Sequence, residues 1–481
     1  MCELSAILAA YEGSGYVVAP AGYGKTHLIA EATGRSTGRQ LILTHTYAGV
    51  NALRTKMRAL GVSDRLYRID TIASWSLRLS LSYSQTSGWE QDRPADNEQW
   101  NALYEACARL LDQEFIRKII RASYDGLYVD EYQDCSVAQH RIVLKLARDL
   151  PCRILGDPLQ SIFDFEGQDA VDWARHVEEN FENLGVLETP HRWINAGSDD
   201  LAVWLRNVRR RLEQGQAIDL NANRPASVRL IQTGAEPQAL MRSQGNSCRY
   251  IQCEQDHTVI AIHKGSQEYK AKCHILSRNL GGRYSSIEEV EGKSLFSFIR
   301  RIERARTVSE QLQEVIAFAK KCMTGVDANL PAGSLRGERV AIRANTRSPD
   351  VAQKANSYLN EPTSAAMAEF LLSLKGLAGI EVIRADLFNR TMAVLRKHIL
   401  LPELSFSEAA EKYHQEFRHT GRPVGKRRQI GTTLLVKGLE FDHAIVLDAT
   451  SLRKKELYVA LTRGARSLTI VSTNTVLNPE D

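Results

Sequence analysis

Ala19-Pro20-Ala21-Gly22-Tyr23-Gly24-Lys25-Thr26 follows the apolar run Tyr16-Val17-Val18 and leads into Leu28-Ile29-Ala30, where a helical pattern begins. Strand, glycine-bearing loop and helix in that order read as a phosphate-binding loop, with Ala19 in the first position, where many nucleotide hydrolases have glycine. Gly22 and Gly24 let the backbone bend so that successive N–H groups turn inward at phosphate oxygens. The helix that follows adds the positive end of its dipole. Lys25 is placed to reach the β- and γ-phosphates, and the Thr26 hydroxyl to ligate Mg²⁺. Ala21, Gly22, Tyr23, Gly24, Lys25 and Thr26 are therefore the expected nucleotide-binding residues. The alternative is an ordinary glycine-rich turn between strand and helix.

Two further strand ends carry polar chemistry. Leu127-Tyr128-Val129-Asp130-Glu131 places two carboxylates after an apolar run, and Gln133 and Asp134 extend it to Asp-Glu-Tyr-Gln-Asp. A strand end beside a phosphate loop is where a Mg²⁺-ligating acid belongs, which gives Asp130 to the metal and leaves Glu131 to deprotonate the attacking water. An exposed acidic turn is the plainer reading. The run Arg153–Leu155 ends in Gly156-Asp157-Pro158-Leu159-Gln160-Ser161-Ile162-Phe163. The Gln160 amide can bond a γ-phosphate or its attacking water. Phe163 and Phe165 offer flat faces on which bases stack, or else they are core residues.

In these motifs and their order, the chain resembles the UvrD/Rep-type superfamily 1 DNA helicases. Its C-terminal part continues the likeness: Lys437-Gly438-Leu439-Glu440-Phe441 resembles that family's KGLEF element, and Leu457–Ala465 its YVALTRA element. Leu41–Thr46 and Asp70–Trp75 stand where the family has two strand-binding motifs. The resemblance implies that Arg463 reaches across a domain interface to the γ-phosphate, where a guanidinium neutralises transition-state charge. It gives Arg192 the place of a second such arginine, and puts His191 where a tyrosine stacks on the base. Gly438 and Glu440 would lie at the nucleotide, with Glu440 linking it to DNA. Thr44, Thr46, Thr71, Trp75, Phe163, Phe165 and Trp193 are the implied contacts to single-stranded DNA. ATP, Mg²⁺ and 3′ to 5′ movement are what the likeness implies.

The departures weaken DNA contacts and leave the hydrolytic set complete. His45 replaces a phenylalanine, Ala73 a histidine, and Glu166 an arginine; Leu434 stands where a histidine often precedes KGLEF. No glutamine precedes the loop to read adenine. The compact size resembles the helicase subunit (GajB) of the Gabija anti-phage system, which acts beside an OLD-like nuclease (GajA-type). That leaves a DNA-end-sensing ATPase that licenses a nuclease, or a generic repair helicase, as alternatives to a processive motor.

At 481 residues, with 43% hydrophobic and 25% charged residues, the chain is expected to form several domains of a soluble protein. No apolar run approaches the length that crosses a bilayer, and the start lacks a signal-peptide pattern, so a cytoplasmic protein is expected. Net charge of +5 permits a polyanion partner. The basic clusters are Arg206, Arg209, Arg210 and Arg211; Arg300, Arg301, Arg304 and Arg306; and Lys426, Arg427 and Arg428. Each also suits a solvated helix face. Cys248, Cys253, His257, Cys273 and His274 share a region without CxxC spacing, which favours buried thiols over zinc.

The expected fold is α/β: two RecA-like P-loop domains with parallel sheets, each carrying a helical insertion, the second one reduced. The first domain takes residues 1–83 and 122–195, with an insertion at 84–121. The second takes 196–292 and 426–481, with an insertion at 293–425. Strands are expected at Tyr16–Val18, Leu41–Leu43, Leu127–Val129, Arg153–Leu155, Val228–Ile231, Val259–Ile262, Ile430–Leu435, Ala444–Leu447 and Leu468–Val471.

Overall fold

The computed structural model describes the chain apart from residues 1, 93, 95, 164–168, 290–291, 421–426 and 481. The first sheet contains β1 (Ser14–Val18), β2 (Gln40–Thr44), β3 (Tyr67–Thr71), β4 (Gly126–Val129), β5 (Cys152–Gly156) and β6 (Glu182–Val186). Its order is β3-β2-β4-β5-β1-β6, and every pairing is parallel. After the short β7 (Ile218–Asp219) come β8 (Val228–Gln232), β9 (Val259–His263), β10 (Ser285–Ser286), β11 (Arg428–Thr432), β12 (Phe441–Val446) and β13 (Gly464–Ser472). These six form a second all-parallel sheet in the order β10-β11-β9-β12-β13-β8. β14 (Val476–Leu477) pairs antiparallel with β7. The chain is thus α/β, with two six-stranded parallel sheets.

The central strands form where the sequence is continuously apolar. Every residue of β2, β4 and β9 is buried, as expected of parallel strands covered on both faces. Edge strands behave differently. β6 lies at a sheet edge with an exposed pattern, and β3 opens with half-buried Tyr67 and exposed Arg68. One expected strand is corrected. Ile430–Leu435 ends as a strand at Thr432, and Thr433–Val436 is a helical turn. Thr433 and Val436 are buried while Leu434 and Leu435 are half-buried, a three-residue spacing that suits a turn of helix and not a pleat.

Between β3 and β4 run the helices Asn97–Leu110 and Glu114–Ser123. The first is capped by Asp96, whose carboxylate accepts the Gln99 N–H at 2.9 Å. Between β10 and β11 lies a bundle that includes Lys293–Arg304, Val308–Cys322, Ser364–Lys375 and Ala385–Leu400. It has its own core, in which Phe298 and Phe318 stack at 4.2 Å. Another core runs without a break from the first sheet into the second, through Val17, Leu28, Trp193, Leu205, Ile260, Leu457 and Leu461. Cys248 and Cys273 are buried thiols in the core on the second sheet. Among the described residues no helix is long and apolar enough to cross a membrane.

Buried histidines set the acid limit of this fold. Burial, in each case the largest cause, depresses His45, His140 and His274 to about 4 and His263 to about 3. The unfolded chain takes up these protons near pH 6.5 and the folded chain does not, so stability falls as pH drops from about 6.5 to about 4. Asp134, raised to about 6 by burial, and Asp130, also raised by burial, run the other way and offset part of the loss. The net slope in that window is expected to be on the order of 1–3 kcal/mol per pH unit. Urea melts at pH 7, 6, 5 and 4.5 measure it; a flat profile would contradict the burial of these rings.

Candidate active site

The loop Ala19–Thr26 leaves the carboxyl end of β1, and Lys25 opens the helix Lys25–Arg35. Gly22 (φ +77°) and Gly24 (φ +88°) are left-handed, a conformation open to glycine at little cost. At Gly22 the space is closed as well: a Cβ would stand 2.9 Å from the Cβ of Arg192. The loop is thus seated on Pro190-His191-Arg192-Trp193, with the Arg192 N–H donating to the Gly22 carbonyl at 3.0 Å.

Asp130 and Glu131 follow β4, which is separated from β1 only by β5. Lys25 Nζ lies 3.3 Å from Asp130 Oδ1 and 2.6 Å from Glu131 Oε1. The ammonium is enclosed, yet neither contact is aligned as a hydrogen bond. Glu131 itself is left-handed (φ 55°), a conformation that costs a residue with a Cβ about 1–2 kcal/mol. Its N–H donates to Asp130 Oδ1 at 2.9 Å, and Gln133 Nε2 donates to its carboxylate at 2.6 Å.

The three charges hold one another. Burial opposes the charged form of Lys25, but Asp130 and then Glu131 overcome it and keep the ammonium above its ordinary value. Burial likewise works to raise Glu131, yet Lys25 and Lys437 hold it down at about 2. Asp130 is raised, by burial first and by Glu131, with Lys25 opposing.

The opposite wall comes from the second sheet. Arg463, at the amino end of β13, is 1% exposed. Its guanidinium donates to the Val459 carbonyl at 2.9 Å, the Leu439 carbonyl at 3.1 Å, Thr462 Oγ1 at 3.0 Å and Gln160 Oε1 at 3.3 Å. All four acceptors are neutral. Burial, and then the neighbouring Arg192, depress it to about 10. Lys437 crosses the cleft to the Asp134 carboxylate and the Gln160 carbonyl. Arg192 donates to the Thr462 carbonyl at 2.6 Å and pairs with Glu440, just past Gly438. His191 is half-buried, with Nε2 enclosed and without a partner. Burial and then His27 lower its pKa, so the ring is neutral at pH 7.

Lys25, Asp130, Glu131 and Gln160 from one sheet therefore share a cleft with Arg463 and Lys437 from the other. Residues 90–175 match the family model described as UvrD/REP helicase N-terminal domain. That stretch is therefore similar to the N-terminal domain of the UvrD/REP helicases. The matched stretch holds Asp130, Glu131, Asp157 and Gln160, while Lys25, Arg192, Lys437 and Arg463 lie outside it. Over 82 residues the chain is 32% identical to the RecBCD enzyme subunit RecB of Buchnera aphidicola subsp. Schizaphis graminum; the match spans 17% of this chain and 7% of that protein. Solved structures with some likeness include the Pif1 helicase of Candida albicans, at 10% identity and TM-score 0.41, covering 98% of this chain and 93% of that one. Another is the arterivirus nonstructural protein 10 helicase in complex with DNA, at 13% identity and TM-score 0.26, covering 55% and 49%.

The expected DNA contacts fare unevenly. Trp75 is 4% exposed and packs in the core between the first sheet and its inserted helices. Trp193 is 1% exposed, with Nε1 donating to the Gly464 carbonyl at 2.9 Å and its ring edge-on to Tyr23. Neither can stack on a base; both are corrected to core residues. Thr71 is buried and caps the helix Ile72–Ser82 through the Ser74 N–H, and Thr44 is buried at the end of β2. Thr46 is exposed and caps Tyr47–Ala59 through the Gly49 N–H. Phe163 is half-buried beneath the Lys437 ammonium at 4.6 Å. Phe165 and Glu166 lie outside the described residues.

Trp193→Ala is accordingly expected to cost about 3–5 kcal/mol of stability, the loss for truncating a buried indole. Guanidinium melts measure it. A fully stable variant with weakened DNA binding would restore Trp193 to the surface.

Two buried partners are not apparent from the sequence. Asp157, 0% exposed, receives Arg209 Nη1 at 2.9 and 3.0 Å on its two oxygens. Arg209 had counted among surface cations. Its signal was its register: it shares the helix face of Leu201, Leu205, Val208 and Leu212, all buried.

Proposed function

We propose that the chain hydrolyses ATP with Mg²⁺ in the cleft between its two sheets and uses that cycle to translocate 3′ to 5′ on single-stranded DNA. The observation that carries this is the convergence of Lys25 and Glu131 with Arg463, three charged groups from opposite sheets at one cleft. The residues fit the ligands. An enclosed ammonium without an aligned acceptor and a buried guanidinium with only neutral acceptors both suit polyphosphate. Thr26 and Asp130 would hold Mg²⁺, which supplies Lewis-acid polarisation of the phosphoryl oxygens.

In this reading Lys25 binds phosphate and releases Glu131. Freed of its nearest cation, the carboxylate becomes more basic and takes the proton of the attacking water. Gln160 orients that water, and Arg463 meets the charge that develops. Arg192 and Glu440 hold the phosphate loop to the second sheet, and His191 offers a neutral face to the base. The two-part domain division at residues 195–196, with insertions at 84–121 and 293–425, belongs to the same proposal.

Phosphate release with and without single-stranded DNA tests the reading; a rate near zero in both would refute it. A second reading, a DNA-end-sensing ATPase acting with an OLD-like nuclease, is favoured by the burial of Trp75 and Trp193, which removes two stacking faces. A strand-displacement assay on a 3′-tailed duplex separates the two. Robust unwinding by the isolated chain argues for the motor, and DNA-stimulated hydrolysis without unwinding argues for the sensor.

A further inference from the structure

Asp157 is the meeting point of a buried network that anchors Gln160. It sits at the carboxyl end of β5, fully buried, and its N–H donates to Gln133 Oε1 at 3.0 Å. Its carboxylate accepts the Leu159 N–H at 3.2 Å, Gln160 Nε2 at 2.9 Å and Arg209 Nη1. Gln160 is thereby stretched between two anchors, with its amide nitrogen on Asp157 and its amide oxygen on Arg463.

Arg209 Nη1 also donates to the Tyr458 hydroxyl at 2.7 Å, and the guanidinium lies 5.2 Å from the centre of that ring. Tyr458 belongs to the helix Lys454–Leu461, which ends directly before Thr462 and Arg463. Its carbonyl accepts both the N–H and the hydroxyl of Thr462. The Ala21 N–H of the phosphate loop also faces the Tyr458 hydroxyl. Arg209 is held from behind by Glu213, with Nε at 2.8 Å from the carboxylate.

We infer that Arg209 is a positioning residue for hydrolysis: by holding Asp157 on one sheet and Tyr458 on the other, it sets Gln160 and Arg463 against each other across the cleft. This rests on the reading of the cleft as an ATPase site. A guanidinium suits the task because one fixed, planar group serves a carboxylate, a hydroxyl and a ring face together, where an ammonium would hold one partner at a time. Interactions that align groups needed only in the transition state appear in kcat and leave substrate binding alone.

Tyr458→Phe removes the hydroxyl and leaves the Asp157–Arg209 pair intact, so it tests the link without stripping a buried charge. The expected result is about a tenfold fall in kcat for ATP, the effect of losing one hydrogen bond's worth of alignment, with KM and the affinity for a fluorescent ATP analogue changed less than twofold. Arg209→Met should lower kcat further, and Arg209→Lys should recover part of the loss. Unchanged kcat in Tyr458→Phe, or a melting-temperature shift in the Arg209 variants without a kcat effect, would make the network purely structural and overturn the inference. If the unaltered protein turns over no ATP, the ATPase reading itself has failed, and the two failures are told apart by that control.

Discussion

Glu131→Gln is expected to lower ATP turnover by about 10²–10⁴-fold, the usual range for losing a positioned general base, in a protein that still folds and still binds nucleotide. The amide matches the carboxylate in shape, so the left-handed backbone at Glu131 is kept. Lys25 keeps Asp130 as its counter-charge at 3.3 Å. Lys25→Ala is a harsher change. It leaves buried Asp130 beside half-buried Glu131 without that cation, and breaking a buried pair costs about 3–5 kcal/mol, so lost turnover there would be mixed with lost stability. Phosphate release, binding of a fluorescent ATP analogue and a thermal melt on Glu131→Gln separate the two effects. Turnover within threefold of the unaltered protein would remove Glu131 from the chemistry.

Arg463→Ala is expected to cut kcat by about 10³–10⁵-fold, the effect of an arginine finger. Removing it also takes the Arg463 donor from the Leu439 carbonyl and the Gln160 amide oxygen and leaves the Val459 carbonyl to the Thr462 hydroxyl, and a melt should show that cost as well. Arg463→Lys keeps a positive charge and loses the fork. It should stay more than tenfold impaired if the planar geometry matters, with nucleotide affinity close to normal. Near-normal kcat in either variant would place the second sheet outside the reaction.

Much of this molecule is legible in one dimension. Central strands such as Leu41–Leu43 and Val259–Ile262 are apolar at successive positions because helices cover both faces of the sheet. The phosphate loop is legible because its backbone is left-handed at residues 22 and 24, which favours glycine, and at residue 22 a Cβ would also meet Arg192. Asp130 and Glu131 stand out as charges ending an apolar run. Not every edge strand was legible: β8 was, but β6 has one uncovered side and so no continuous apolar run.

Trp75 and Trp193 were misplaced because the surroundings of an aromatic ring are set by distant segments. Gly464, 271 positions away, accepts the Trp193 indole N–H. The Asp157–Arg209–Tyr458 network lies beyond local reading for the same reason, its partners standing 52 and 249 positions from Arg209. Arg209 looked like its solvent-facing neighbours Arg210 and Arg211, and only its place on the apolar face of the helix set it apart.

The composite cleft is tested most directly by a crystal structure with Mg²⁺, ADP and aluminium fluoride. The fluoride is expected to be contacted from both sides, by Lys25 of the first sheet and by Arg463 of the second, with Glu131 released from Lys25. Nucleotide bound elsewhere, or Arg463 left on Gln160 and the Leu439 carbonyl with no contact to the fluoride, would contradict it.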